Sequence, residues 1–108
     1  HRSGRDVDVG YVLRGERADD LRFHVADAAN LDVARTWELL LAFIATGHVR
    51  VIFVDTAIQR ILYDHARERG HDPADLDRLL QHPRGEGHPG GLIRHFRGHK
   101  NHFHVRFG

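Results

Sequence analysis

A chain of 108 residues makes one domain, large enough to bury a working core without crosslinks. It contains no Cys, which excludes disulfides and thiolate metal sites, so any metal must be held by His and carboxylates, the ligand set of catalytic rather than structural zinc. Sixteen Lys and Arg against 15 Asp and Glu leave a net charge of +1, too weak a field to recruit nucleic acid or an anionic membrane, and no apolar run approaches the ~20 residues of a membrane span.

Residues 1–13 open on a turn at Ser3-Gly4 and continue as an alternating strand. Asp6 and Asp8 fall on one face of it, and Val7 and Val9 on the other. After a polar turn over 14–20, Leu21, Phe23 and Val25 alternate as a second short strand, predicted to form a hairpin with the first. Asn30 reads as the N-cap of a helix over 31–46, with Leu31, Ala34, Leu39, Ala42, Phe43 and Thr46 at helical spacing, Trp37 in the core and Gly47 as the stop. Residues 49–54 are apolar enough for a central strand, and Asp55 or Thr56 caps a helix running to about Arg69, with Ile58, Ile61, Leu62 and Ala66 inward. A short helix fits 73–80, with Pro in its first turn and Leu76, Leu79 and Leu80 inward.

Eleven of the residues are His, and six of them lie between His82 and His104. Residues 81–91 are a Gly- and Pro-rich loop holding His82 and His88, which read as surface loop residues; 92–96 suggest another short strand, ending before a turn at Gly98. The last stretch alternates again. His102, His104 and Arg106 share one face, and Phe103, Val105 and Phe107 share the other. Neutral imidazole is a common zinc ligand, but one His-x-His pair cannot complete a tetrahedral site. If the first and last strands pair, Asp6 and Asp8 supply the carboxylates, and His1 can reach round the Gly4 turn to the same point.

The pattern His1-x-x-Gly4-x-x-x-Asp8, followed about ninety residues later by His99-x-x-His102-x-His104, resembles the penicillin-insensitive murein endopeptidases. These belong to the wider group that contains lysostaphin-type peptidases, D-alanyl-D-alanine metallopeptidases and the hedgehog signalling domain. The resemblance extends to the Trp-bearing first helix and the Ile-Phe-Val strand, so it spans nearly the whole chain. It implies zinc (Zn2+) held by His1, Asp8 and His104, with His102 and His99 as catalytic histidines. One of them would be the general base and the other a hydrogen-bonding partner of the substrate carbonyl, with His102 the base by its shared face with His104, although the two roles are interchangeable at this level. Asp6 would orient a ligand or a catalytic His, and Arg106 would form an ion pair on the sheet face.

The fold expected is α+β, a small mainly antiparallel sheet with helices packed on one face and a zinc cleft on the other. The activity implied is hydrolysis of amide bonds in peptidoglycan peptide cross-links, between D-alanyl and diaminopimelyl residues, in a periplasmic or extracellular setting inferred from the substrate. Two other readings stand beside it: a D,D-carboxypeptidase or dipeptidase acting on uncross-linked stem peptides, and a zinc-containing murein-binding domain without turnover. A chain that begins with His rather than Met reads as an excised or processed fragment.

Overall fold

The computed structural model describes residues 5–15 and 23–108. It shows a small α+β fold of three helices and a four-stranded mixed sheet. Strand β1 (Arg5–Gly10) lies at one edge, paired antiparallel with β4 (His102–Phe107). On its other side β4 pairs antiparallel with β2 (Val49–Phe53), which pairs in parallel with the two-residue β3 (Ile93–Arg94). The first and last strands are therefore neighbours, the pairing that the carboxylates of one need in order to meet the imidazoles of the other.

Register decides which side chains share a face. Asp6 stands opposite Arg106, Asp8 opposite His104, and Gly10 opposite His102. Across the other edge of β4, Phe53 is opposite His104 and Val51 opposite Arg106. A register shift between Val49 and Val51 puts one extra residue into β2, so Val49 turns with Phe107 toward the core while Val51 and Phe53 stay on the charged face. The opposite face carries Phe103, Val105, Ile52 and Ile93, all fully buried, in one cluster with Trp37, Leu40, Ile58, Leu62 and Leu76 from the helices. Burying a side chain of this size contributes about 1.5–3 kcal/mol, so this layer is the main source of stability.

All three helices begin at an aspartate. Asp32 accepts from the Arg35 N–H ahead of α1 (Val33–Ala45), Asp55 from the Ala57 N–H ahead of α2 (Thr56–Glu68), and Asp72 from the Ala74 N–H ahead of α3 (Pro73–Leu79). Each cap satisfies an otherwise orphaned donor and is worth about 1 kcal/mol. Gly47 and Gly70, with φ of 78° and 90°, take the left-handed conformation just past the ends of α1 and α2.

Three expectations need correction. Asn30 does not cap α1. Its carboxamide is spent in a local turn, accepting from the Asp27 N–H at 2.8 Å and donating to the Val25 carbonyl at 2.8 Å, which moves the cap to Asp32. The inward face of α1 is also rotated from the one predicted: Thr36, Trp37 and Leu40 are buried, whereas Ala34 and Ala42 are exposed. Lastly, the expected hairpin partner of β1 is not a strand where it is described. Residues 23–26 have no sheet pairing, Phe23 and Val25 stay exposed, and the Ala26 N–H bonds to the Lys100 carbonyl at 2.8 Å. Among the described residues β1 pairs on one side only, with β4, whose alternate residues Phe103 and Val105 are completely buried; the 23–26 segment instead lies against the loop before β4, held by the Ala26–Lys100 bond.

Candidate active site

The polar face of the β1–β4 pair gathers four of the five residues singled out by sequence: Asp8, His99, His102 and His104. The fifth, His1, lies outside the described residues. Cross-strand neighbours come within hydrogen-bonding reach because directly opposed Cβ atoms in an antiparallel pair are about 4.5–5.5 Å apart. His104 Nδ1 is 2.6 Å from Asp8 Oδ1, and His104 Nε2 is 2.9 Å from Asp6 Oδ1. An ionised carboxylate only accepts, so a ring held this way donates from both nitrogens and is an imidazolium. Burial works against that charge, but the hydrogen bonds to Asp6 and Asp8 and their negative charges outweigh it, holding the pKa of His104 above its ordinary 6.5.

Asp6 is shared. The Arg106 Nε–H donates to its Oδ1 at 2.9 Å, while the guanidinium carbon of Arg106 lies 5.5 Å from the centre of the Phe53 ring. Hydrogen bonds from His104 first and Arg106 second hold the Asp6 carboxyl below its usual 3.8.

The other two histidines are held differently. His102 Nδ1 is 2.7 Å from Asn101 Oδ1, and its Nε2 is 3.7 Å from the same Asp8 oxygen that meets His104. His99 is buried, with Nδ1 2.8 Å from the Phe96 carbonyl and 3.1 Å from that of Arg97. The turn at Gly98, with φ of 86°, folds the chain back so that these carbonyls face the ring. In both rings Nδ1 carries the proton and the Nε2 lone pair is left uncommitted by these bonds. Burial lowers the pKa of His102, Asp8 pulls the other way, and His99 and His104 reinforce the drop. The His99 and His102 rings are 4.9 Å apart, and His99 and His104 6.2 Å apart. In this tautomer His102 carries at Nε2 a lone pair that none of these hydrogen bonds uses. His99, its Nδ1–H already engaged, can donate from Nε2 only as an imidazolium.

Three residues that the sequence did not flag complete the setting. Tyr11 is buried against Phe103; its hydroxyl donates to the His99 carbonyl at 2.7 Å and accepts from the Asp55 N–H at 3.4 Å, tying the histidine loop to the start of α2. Burial pushes the phenol pKa well up, so the hydroxyl stays a donor. Asn101 fixes the tautomer of His102, and Phe23 stacks on its ring at 5.0 Å. Asn101 is adjacent to the motif and is legible in hindsight; Tyr11 and Phe23 act through long-range packing that no local pattern signals.

His82 and His88 do not join the cluster. His88 Nδ1 accepts from the Gly90 N–H, and the His82 ring packs edge-on against Tyr63. A cavity of about 770 Å³ lies elsewhere, between residues 25–28 and the first turns of α2, and none of the clustered histidines lines it. The chemistry of the histidine face, rather than this cavity, marks the candidate site.

Among the described residues, no three His, Asp or Glu side chains form a group arranged to hold a metal ion. Two of the three expected zinc ligands, Asp8 and His104, are nevertheless in direct contact, and a carboxylate oxygen beside an imidazole nitrogen is a donor pair suited to zinc. The proton between them stands where a cation would compete, so the residues fit the group in donor chemistry once His104 gives up that proton. No helix among the described residues is long and apolar enough to cross a membrane. Compared with known protein families, with curated proteins and with solved structures, the chain finds no match.

Proposed function

We propose that the chain is a zinc-dependent murein endopeptidase domain that hydrolyses amide bonds in peptidoglycan peptide cross-links, the D-alanyl to diaminopimelyl bond by resemblance. The observation that carries this reading is the convergence of Asp8 Oδ1 with His104 Nδ1 at 2.6 Å and His102 Nε2 at 3.7 Å, with the His99 ring 4.9 Å from that of His102. Residues far apart in sequence, Asp8 from the first strand and His102 and His104 from the last, meet on one face of one sheet, with His99 from the preceding loop beside them.

Asp8 and His104, with His1, would hold the zinc. Bound there, zinc supplies a Lewis acid that polarises an amide carbonyl and makes water acidic enough to deprotonate near neutral pH. His102 accepts the proton at Nε2, since its Nδ1–H is anchored on Asn101 and its pKa is held down. His99, once protonated at Nε2, donates to the oxyanion that develops on the substrate carbonyl. Asp6 holds the far nitrogen of His104 and sets the plane of its ring. The Asp6 and Asp8 side chains are each half exposed, an open setting suited to the interior of a polymer strand. Such a substrate places the domain in the periplasm or outside the cell.

A zinc-containing murein-binding domain without turnover is the second reading, favoured by the carboxylates that engage both nitrogens of His104. The deciding experiment measures zinc content of untagged wild type, Asp8→Ala and His104→Ala, then hydrolysis of purified cross-linked muropeptide dimers and of monomeric pentapeptide. About one zinc per chain, lost in both variants, together with cleavage of the dimers, is expected. Undiminished cleavage after zinc stripping or in His104→Ala overturns the endopeptidase reading. Murein binding with no new product selects the binding domain, and cleavage of the monomer alone selects a carboxypeptidase.

A further inference from the structure

Phe23 has no place in the core. It is 42% exposed and itself in no strand, and yet lies nearly parallel to His102, with ring centroids 5.0 Å apart and planes at 15°. That is the offset-stacked arrangement aromatic pairs prefer. Its segment is stitched to the histidine loop by the Ala26 N–H, which donates to the Lys100 carbonyl at 2.8 Å. On the sheet beneath, the residue opposite His102 is Gly10, and a Cβ there would stand 3.2 Å from Phe23 Cδ1 and 3.5 Å from Cε1. The glycine leaves room for the ring.

We infer that Phe23 is a positioning residue that, with Asn101, fixes the ring of His102 for proton transfer. Asn101 holds Nδ1 in the ring plane at 2.7 Å and so sets the tautomer; Phe23 covers one face of the ring and stops it tilting. Together they aim Nε2 toward Asp8, 3.7 Å away. Gly10 belongs to the same device, because a Cβ at that position crowds the Phe23 ring, which must shift by a few tenths of an ångström to make room. This role rests on the reading of His102 as the general base. It predicts an effect on turnover rather than on substrate capture, since misdirecting a proton acceptor raises the barrier without removing a binding contact.

The test compares zinc-loaded wild type with Phe23→Leu, Phe23→Tyr and Gly10→Ala. The readouts are the ring-proton NMR resonances of His102, thermal midpoints, and kcat and KM on cross-linked muropeptides. Phe23→Leu is expected to move the His102 resonances downfield as the ring current is lost, and to lower kcat about three- to tenfold with KM unchanged. Phe23→Tyr is expected to restore both, and Gly10→Ala to shift the resonances and kcat in the same direction as Phe23→Leu without lowering the thermal midpoint. His102 resonances that stay in place in Phe23→Leu, or a kcat that falls equally in Phe23→Leu and Phe23→Tyr, overturn the inference. Wild type without turnover sinks the endopeptidase reading alone, and the NMR comparison still decides whether Phe23 fixes the ring.

Discussion

Histidines 82, 88 and 95 and histidines 99, 102 and 104 occupy two successive stretches of similar composition, but their ring nitrogens are used in opposite senses. In the first stretch two Nδ1 lone pairs, those of His88 and His95, are consumed. His95 Nδ1 accepts from the Thr56 N–H at 3.0 Å, with Nε2 turned to Glu86 Oε1 at 3.4 Å, and His88 Nδ1 accepts from the Gly90 N–H at 2.9 Å. Two buried glutamines complete the brace. Gln59 Oε1 accepts from the His82 N–H; Gln81 Oε1 accepts from the His95 N–H, while its Nε2 donates to the carbonyls of Glu86 and His88. In the second stretch His99 and His102 spend their Nδ1–H groups on acceptors, and these bonds leave the Nε2 lone pairs uncommitted. A proton or a metal needs a lone pair, so the same residue type braces a loop in one place and leaves ring nitrogens available in the other.

Removing one ring from each stretch should separate the two uses most sharply. His102→Ala is expected to lower muropeptide turnover by about 10²–10⁴-fold while zinc content is retained, the usual range for loss of a general base. His88→Ala, which removes only an acceptor for a loop N–H, should leave turnover within about twofold and stability within about 0.5 kcal/mol. Parallel kinetics and zinc analysis check both; equal losses in the two variants would erase the distinction.

The brace itself predicts a stability effect with no metal effect. Gln81→Leu leaves the His95 N–H and the Glu86 and His88 carbonyls without their partner; Glu86 is exposed and His88 half-buried, so water replaces part of what is lost, whereas a buried unpaired group costs about 1–3 kcal/mol. The expected loss is about 2–3 kcal/mol by urea denaturation, with zinc still bound at one per chain. Loss of zinc in Gln81→Leu would show that the loop supports the site as well as the fold.

The smallest expected effect is in pH dependence. The folded pKa of His104 lies above its unfolded value, so its ion pairs stabilise the metal-free chain fully below about 6.5, and that contribution fades as pH climbs through the raised folded value. Asp6 acts in the other sense: its folded pKa is depressed, so its contribution is present above 3.8 and disappears as pH falls through the lowered value. The difference in denaturation midpoint between metal-free wild type and His104→Gln should therefore be largest near pH 5 and shrink by pH 9. Zinc affinity should run the opposite way and tighten with rising pH, because the metal displaces the His104 proton. A midpoint difference that grows with pH would mean that His104 is neutral in the folded chain.

The chain's own pattern determined most of the helices and the polar faces of the first and last strands. Period-two alternation in 5–10 and 102–107 placed Asp6, Asp8, His102 and His104 on polar faces before any pairing was known, and apolar spacing located α2 and α3 with their inward residues. These properties are local, because a strand's two faces and a helix's stripe follow from backbone geometry alone. Other features were decided by competition between distant segments, and only the tertiary structure shows them. Residues 23–26 alternate well enough for a strand, but the Ala26 N–H is bonded to the Lys100 carbonyl of the histidine loop and the segment joins no sheet. Asn30 carries a good cap side chain and spent it on a turn with Asp27. The protonation of His104, the tautomers of His99 and His102, and the parts played by Tyr11 and Phe23 depend on which acceptors and rings lie within about 3 Å and 5 Å once the chain has closed. Sequence names the donors and acceptors; the packed fold settles which of them meet.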